Sequence, residues 1–279
     1  MLKGVVNRVP AADFLAVRFA IALVVVVAIR PTVALRLTRT EWLQGLGIGV
    51  VYGLAQLAQT TGLKSTPASV SGFVTGMYVV FTPLLAALIF RKRISGWVWV
   101  AVALSTAGLG VLSLHGFSVS GGVALTLVGA FLYGVQILGL GSWSTSRNAW
   151  GLTVAQLIGV TVVCLIGAAP GGIAVPSQTG DWLVLAYMAI AAGAAAMLVQ
   201  TWAQAYIAPT KAAVTMTMEP VWAGLFSVLI GGEVFGWRIG VGGAFVLAAM
   251  FLVELRPHPE MDADDVDLPV ARELEYATG

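Results

Sequence analysis

The spacing of its charges constrains this chain more than anything else in the sequence. Trp42 to Leu63 is a run of 22 residues without Asp, Glu, Lys or Arg, Ser65 to Phe90 one of 26, and Ile94 to Ser146 one of 53. Asn148 to Gly180 adds 33 and Trp182 to Thr210 adds 29. A helix needs about 20 mainly apolar residues to cross the hydrocarbon core of a bilayer, so these runs read as single spans or multiples of one. Backbone groups in lipid must be satisfied within the segment, which makes the spans helices. A water-soluble fold is excluded, because only 10% of the 279 residues are charged, against roughly 25% in an ordinary soluble domain.

The expected fold is all-α: a polytopic membrane bundle of nine spans. They are Ala11 to Ile29, Trp42 to Thr61, Ser69 to Phe90, Gly96 to Leu114, Gly122 to Trp143, Gly151 to Ala169, Trp182 to Ala203, Ala212 to Ile230 and Ile239 to Leu255. Short connections make successive spans antiparallel neighbours. Alternate loops differ in cations: one set holds Arg30, Arg36, Arg39, Arg91, Lys92, Arg93, Arg147, Lys211 and Arg256, the other Lys3, Arg8, Lys64 and Arg238. The richer set is expected on the cytoplasmic side of the cell membrane, which puts the C-terminal tail inside and Met1 outside. Residues 256–279 carry nine of the 28 charges and too few apolar residues to fold alone, so they read as an acidic, solvated tail.

Several classes are set aside at this level. The first apolar run leads into further spans and not into a polar mature domain, so it is no signal peptide. The dispersed cations give no nucleic-acid surface. Cys164 is the only cysteine, which excludes an internal disulfide, and its place in an apolar run makes it a packing residue. No GxxxxGK[ST] segment is present, so nothing points to ATP hydrolysis. His115 and His258 lie far apart without acidic or cysteine companions, so neither a metal site nor a histidine triad is expected. No cofactor is implied.

The chain also repeats itself. "DFLAVRFA" from Asp13 matches "GLTVAQLI" from Gly151 in pattern, pairing Arg18 with Gln156 at an offset of 138. "QTTGLKSTPASVS" from Gln59 resembles "QTWAQAYIAPTKAAVT" from Gln200, and "RISGW" from Arg93 resembles "EVFGW" from Glu233 at an offset of 140. Spans one to four echo spans six to nine. Two repeats of five helices would be inverted relative to each other, with residues 1–118 as the first repeat, holding four helices, and 119–255 as the second, holding five. On that scheme the counterpart of the fifth span precedes Pro10, and a first helix is expected to be missing from the chain as written.

These segments resemble the EamA-type family of the drug/metabolite transporter superfamily. The resemblance is carried by "PAADFLAVRFAIA" from Pro10, "TPASVSGFVTGMYVVFTPLLAALIFRKRISGW" from Thr66 and "APTKAAVTMTMEPVWAGLFSVLIGGEVFGW" from Ala208. It spans about residues 10 to 255 and departs from the family in the absent first helix and in Arg93 where the second half has Glu233. It implies a ten-helix inverted-repeat carrier of small metabolites, such as amino acids or related amphiphiles, working more often outward. It names no substrate, since one fold carries many ligands.

Glu219 is the sharpest candidate for substrate or proton binding. It stands eight residues into an apolar span, where a carboxylate costs about 2.5 to 3.5 kcal/mol unless it meets water, a partner or a proton. The competing reading is structural: beside Pro220, a protonated Glu219 can satisfy backbone freed by the proline. Arg18, with its repeat partner Gln156, either binds a substrate anion or pairs and snorkels. Gln56 and Gln59, Tyr133 and Gln136, and Gln200 with Gln204 share helical faces, with Trp202 on another and Tyr78 one turn ahead of Pro83. Such side chains line a wet cavity or join helix to helix. Pro83 and Pro220 are hinge candidates at corresponding places of the two halves, or static kinks. Gly45, Gly49 and Gly53, and Gly236 with Gly240, follow small-xxx-small spacing that packs helices closely, with a homodimer as an additional claim.

The expected partners are a small-molecule substrate and the lipid bilayer, with proton coupling through Glu219. Two alternatives stay open. A carrier of nucleotide sugars or lipid-linked intermediates would need several intramembrane cations, and Arg18 stands alone. A non-transporting assembly or regulatory protein would bind a partner and show no saturable substrate. An enzyme would need acid, base or nucleophile together at one depth, and Glu219 is by itself.

Overall fold

The computed structural model describes residues 8–89, 96–115, 118–174, 178–207, 209, 212, 216, 218–229, 232 and 234–255. The helices are α1 (Ala11–Ile29), α2 (Arg39–Ser65), α3 (Ala68–Thr75), α4 (Tyr78–Ile89), α5 (Gly96–Ser113) and α6 (Gly121–Trp143). After them come α7 (Ala149–Ala168), α8 (Thr179–Ala189), α9 (Ala196–Ala203), α10 (Met218–Leu229) and α11 (Trp237–Leu255). A two-residue antiparallel pair, β1 (Leu114–His115) and β2 (Ser118–Val119), joins α5 to α6 with Leu114 opposite Val119. The architecture is thus the helical membrane bundle expected. Arg91, Lys92, Arg93, Lys211, Glu233 and the tail 256–279 lie outside the described residues, as does Lys3.

Among the described residues, five stretches are long and apolar enough to cross a membrane: Ala11–Ile29, Ala68–Ile89, Gly121–Trp143, Ala149–Ala168 and Thr179–Ala203. Trp99–Val111 and Trp237–Leu252 are shorter apolar helices. The first expected span coincides with α1 residue for residue. Its start follows from Pro10, whose carbonyl takes the Phe14 N–H at 3.1 Å and whose missing N–H has no helical role at that position. Pro67 opens α3 in the same way, accepting from Ser71 at 2.9 Å.

Three expected spans are less regular than their composition suggested. The span from Ser69 is broken into α3 and α4 at Gly76 and Met77, where Met77 N bonds to Val74 O at 3.1 Å and Val80 N to Met77 O at 2.9 Å in tight three-residue turns. Pro83 lies just downstream inside α4 and cannot donate to the carbonyl one turn before it. The span from Trp182 contains a π-helical turn, Ile190–Ala195, between α8 and α9. Met216, inside the span expected from Ala212, is in a turn, and the described helix begins at Met218.

The chain forms two compact units, each drawing on both halves of the sequence. Unit 1 comprises the described residues of Met1–Leu57 and Gly139–Ile207, and unit 2 those of Ala58–Leu138 and Ala208–Val266. Lipid removes most of the hydrophobic drive between helices, so close packing must hold them together. In unit 1, α1 lies on α7, with Phe14, Leu15, Phe19 and Ala22 packed with Val154, Leu157, Val160 and Cys164. Gly45, Gly49 and Gly53 of α2 meet the other face of α7. A Cβ at Gly45 would come within 2.5 Å of the Ala155 Cβ, one at Gly49 within 2.8 Å of the Gln156 Cα, and one at Gly53 within 2.9 Å of the Val163 Cβ.

In unit 2, α5 packs along α11 around Ala101 and Ala249. A Cβ at Gly108 would meet the Gly242 carbonyl at 2.8 Å. Phe73 of α3 lies against Gly224 of α10 and Gly243 of α11. Gly236, by contrast, has no atom within 4 Å of a built Cβ, and Gly240 meets only Phe235 there. This second glycine pair packs against no other helix among the described residues.

Candidate functional site

Unit 2 gathers four of the sequence candidates into two polar groups. In the first, the Tyr133 hydroxyl of α6 donates to Gln59 Oε1 of α2 at 2.6 Å, and Gln59 Nε2 donates to Thr75 Oγ1 of α3 at 2.8 Å. Thr75 in turn donates to the Ser71 carbonyl at 2.8 Å. The chain crosses three helices and fixes the Gln59 amide by its partners, with oxygen toward Tyr133 and nitrogen toward Thr75. Gln136, one turn along α6 from Tyr133, is buried.

The second group stands on the break between α3 and α4. Tyr78, the first residue of α4, is buried and donates to the Met216 carbonyl at 2.9 Å. Its hydroxyl also lies against the Glu219 carboxylate. Glu219 is the second residue of α10 and is exposed, so it occupies a first helical turn and not the middle of a continuous helix. A carboxylate in the first turn is favoured by the helix dipole. The break at Met77 and the turn at Met216 therefore position one hydroxyl and one carboxylate together, each at a helix beginning. Thr82 Oγ1 donates to the Tyr78 carbonyl, one turn back, at 2.7 Å. Pro220 lies in α10 beside Glu219.

In unit 1 the Arg18 guanidinium is engaged by backbone carbonyls. Its Nε and Nη2 donate to the carbonyls of Met188 and Ala192, both at 3.2 Å, and the guanidinium lies 4.8 Å from the centre of the Phe19 ring. A π-helical turn misaligns carbonyls that an α-helix would satisfy, and Arg18 supplies donors at that turn. Gly193, inside the turn, allows the approach: a Cβ there would be 3.1 Å from the Ala22 Cβ of α1. The sequence singled out Arg18 but gave no hint of the π-helical turn it serves.

Gln156, the repeat mate of Arg18, is fully buried in α7 and donates from Nε2 to Thr201 Oγ1 at 3.1 Å. Its Oε1 has no hydrogen-bond partner among the described residues. Gln56 donates to the Tyr52 hydroxyl one turn back at 2.8 Å, and Tyr52 meets Phe19 edge-on at 5.8 Å. Gln200 is half-buried. Trp202 is 55% exposed, packs on Tyr206 at 5.3 Å between ring centres, and lines a cavity of about 680 Å³ together with Arg30, Arg36 and Arg147.

One network escaped sequence reasoning although its signal was present. Thr38 and Glu41 form a capping box at the start of α2: Thr38 N donates to Glu41 Oε2 at 2.8 Å and Glu41 N to Thr38 Oγ1 at 3.3 Å. The T-x-x-E spacing is the signature of that motif. Glu41 also accepts from Asn148 Nδ2 at 3.0 Å and from Arg147 at 3.2 Å, tying α2 to the start of α7. Arg8 and Asp181 form an ion pair that anchors the start of α8, and Asp13 accepts the Ala174 N–H at 2.9 Å. No group of three or more metal-ligating side chains exists among the described residues.

Comparison with known proteins resolves what these helices belong to. The model of the EamA-like transporter family matches residues 1–114 and again 120–255. The chain belongs to the EamA-like transporter family. It is thereby a member of the drug/metabolite transporter superfamily and a multi-pass membrane protein, and the family points to a transporter acting on a small molecule. An "Uncharacterized transporter" of Archaeoglobus fulgidus is 29% identical over 217 residues, which cover 77% of this chain and 70% of that protein. A solved crystal structure aligns with 98% of this EamA-like chain and 92% of its own at a TM-score of 0.68 and 17% identity, a likeness of fold alone.

Proposed function

We propose that this EamA-like protein is a secondary carrier that exports a small amphiphilic metabolite, such as an amino acid, across the cytoplasmic membrane by alternating access. The observation that carries the reading is the grouping in unit 2 of Tyr78 with Glu219 and of Tyr133 with Gln59 and Thr75. Hydroxyls, an amide and a carboxylate together can hold a zwitterion, with Glu219 toward its ammonium group. Pro83 and Pro220 stand within reach in sequence of Tyr78 and Glu219, and interrupted helices are where carriers of this kind bind and move their ligands. Gln136, buried one turn along α6 from Tyr133, belongs to the same lining.

We read residues 1–118 and 119–255 as two repeats and the tail as cytoplasmic. Support comes from the two separate family matches and from the packing of α1 on α7 and of α5 on α11, helices that the sequence pairs at offsets near 140. Glu219 is the coupling group for protons in this scheme, because an intramembrane carboxylate beside a hydroxyl can be loaded and unloaded during the cycle.

The test is counterflow in proteoliposomes with a panel of labelled amino acids, nucleosides and amines. Saturable uptake of one class is the expected result, and none across the panel would sink the carrier reading. Glu219→Gln, which removes the charge facing the ammonium group, should weaken counterflow and abolish the response of uptake to a pH gradient; full pH-driven transport in that variant would remove Glu219 from the coupling.

A further inference from the structure

We propose that the cavity between α1, α2, α7 and α9 in unit 1 is a binding site for a phosphate group, borne by an anionic lipid headgroup or by a free phosphate. The site contains none of the unit 2 residues assigned to the carried substrate, and the inference does not depend on the transport reading. The cavity holds about 680 Å³, ample for a phosphodiester headgroup. Arg30 caps the end of α1, Arg36 ends the 3₁₀ turn Val33–Arg36 that follows, and Arg147 precedes α7.

The charges do not cancel. Among the described residues Glu41 is the one carboxylate of the lining, and its oxygens are already taken by the Thr38 N–H and hydroxyl at 2.8 Å, by Asn148 at 3.0 Å and by Arg147 at 3.2 Å. Among the described residues, Arg30 and Arg36 make no ion pair. Two cations are thus left over, matching a phosphate anion. Arginine is suited to this because its planar fork meets two phosphate oxygens at once.

The lining also supplies neutral donors and an apolar wall. Arg30 stacks 4.7 Å from the centre of the Trp150 ring, which holds the guanidinium without quenching its charge. The Trp150 indole N–H is buried and has no acceptor among the described residues. Trp150 and Gly151 lie in the first turn of α7, where backbone N–H groups have no intrahelical acceptor. Trp202, Leu198 and Val199 complete the wall. Arginines with tryptophans at the ends of membrane helices are the composition that meets headgroups.

The test uses the purified full chain in detergent, analysed by native mass spectrometry during titration with phosphatidylglycerol or phosphatidylcholine, with and without inorganic phosphate. The wild type should retain phosphatidylglycerol ~10-fold better than phosphatidylcholine, and Arg30→Gln with Arg36→Gln should erase that preference. Trp150→Phe keeps an aromatic face for Arg30 but removes the indole N–H and shortens the side chain, so it should weaken retention by about threefold, and it guards against misfolding of the double variant. Arg238→Gln, a cation of unit 2, should change nothing. Retention that resists phosphate assigns a lipid headgroup; phosphate binding by the wild type without lipid preference, lost in the arginine variants, assigns a soluble phosphate. Neither response, or equal losses in Arg238→Gln, overturns the proposal.

Discussion

The Tyr133 hydroxyl donates to Gln59 Oε1 at 2.6 Å across 74 positions of sequence, and through Gln59 it reaches Thr75. Hydrogen bonds between membrane helices contribute only about 0.6 kcal/mol each on average, so this chain is poorly explained as a device for stability alone. Tyr133→Phe should leave thermal unfolding in detergent within a few degrees of wild type while lowering transport kcat/KM by ~10-fold, about 1.4 kcal/mol of transition-state stabilisation. An unchanged kcat/KM would remove Tyr133 from the substrate contact.

Arg18 should behave in the opposite way. Its two bonds to the Met188 and Ala192 carbonyls hold the π-helical turn, and a charged donor bond to a buried acceptor is worth about 1.5 to 3 kcal/mol. Arg18→Met should lower the midpoint of thermal unfolding by several degrees, with amide hydrogen exchange rising first at Ile190–Ala195. Arg18→Lys, which keeps one donor centre, should recover part of the loss.

Gly49 and Gly47 make a paired test of close packing. A Cβ at Gly49 would press on the Gln156 backbone, whereas one at Gly47 would meet nothing within 4 Å. Gly49→Ala should destabilise by about 1 to 3 kcal/mol through overpacking. Gly47→Ala should be neutral or slightly stabilising, by up to about 1 kcal/mol, because alanine is the better helix former. Detergent unfolding midpoints of the two variants decide it, and equal effects would refute the account of the α2 and α7 contact.

Glu41 sets a pH dependence. Burial pushes its carboxyl upward, but the Thr38 N–H, the Asn148 amide, the Thr38 hydroxyl and the Arg147 charge overcome it and hold the carboxyl below its ordinary value. A group lowered in the folded state contributes fully above its unfolded value, about 4.3 for glutamate, and loses that contribution as pH falls through the folded value. Stability should therefore decline below about pH 4.3, with Glu41→Gln flattening that part of the profile. The effect should stay under ~1 kcal/mol because Arg147 is largely exposed and its charge is screened. Unfolding midpoints across that range, wild type against variant, measure it.

The membrane class, the position of α1 and the packing role of Gly45, Gly49 and Gly53 were legible from residue order, because each depends on local properties: run length, apolarity, and the absence of a side chain at four-residue spacing. Glu219, Tyr78, Gln59 and Tyr133 could be singled out for the same reason, as polar groups where lipid makes polarity costly. Which of them meet could not be read. The tertiary structure decided that Gln59 joins Tyr133 and Thr75, that Tyr78 faces Glu219, and that Arg18 serves carbonyls 170 and 174 positions away. It also broke the span from Ser69 at Met77 and widened the one from Trp182 into a π-helical turn, although both runs look uniform in composition. The physical reason is one of range: a bilayer selects helices by the apolar length of a single segment, whereas partners, kinks and cavities come from neighbouring helices far along the chain, whose register no local pattern specifies.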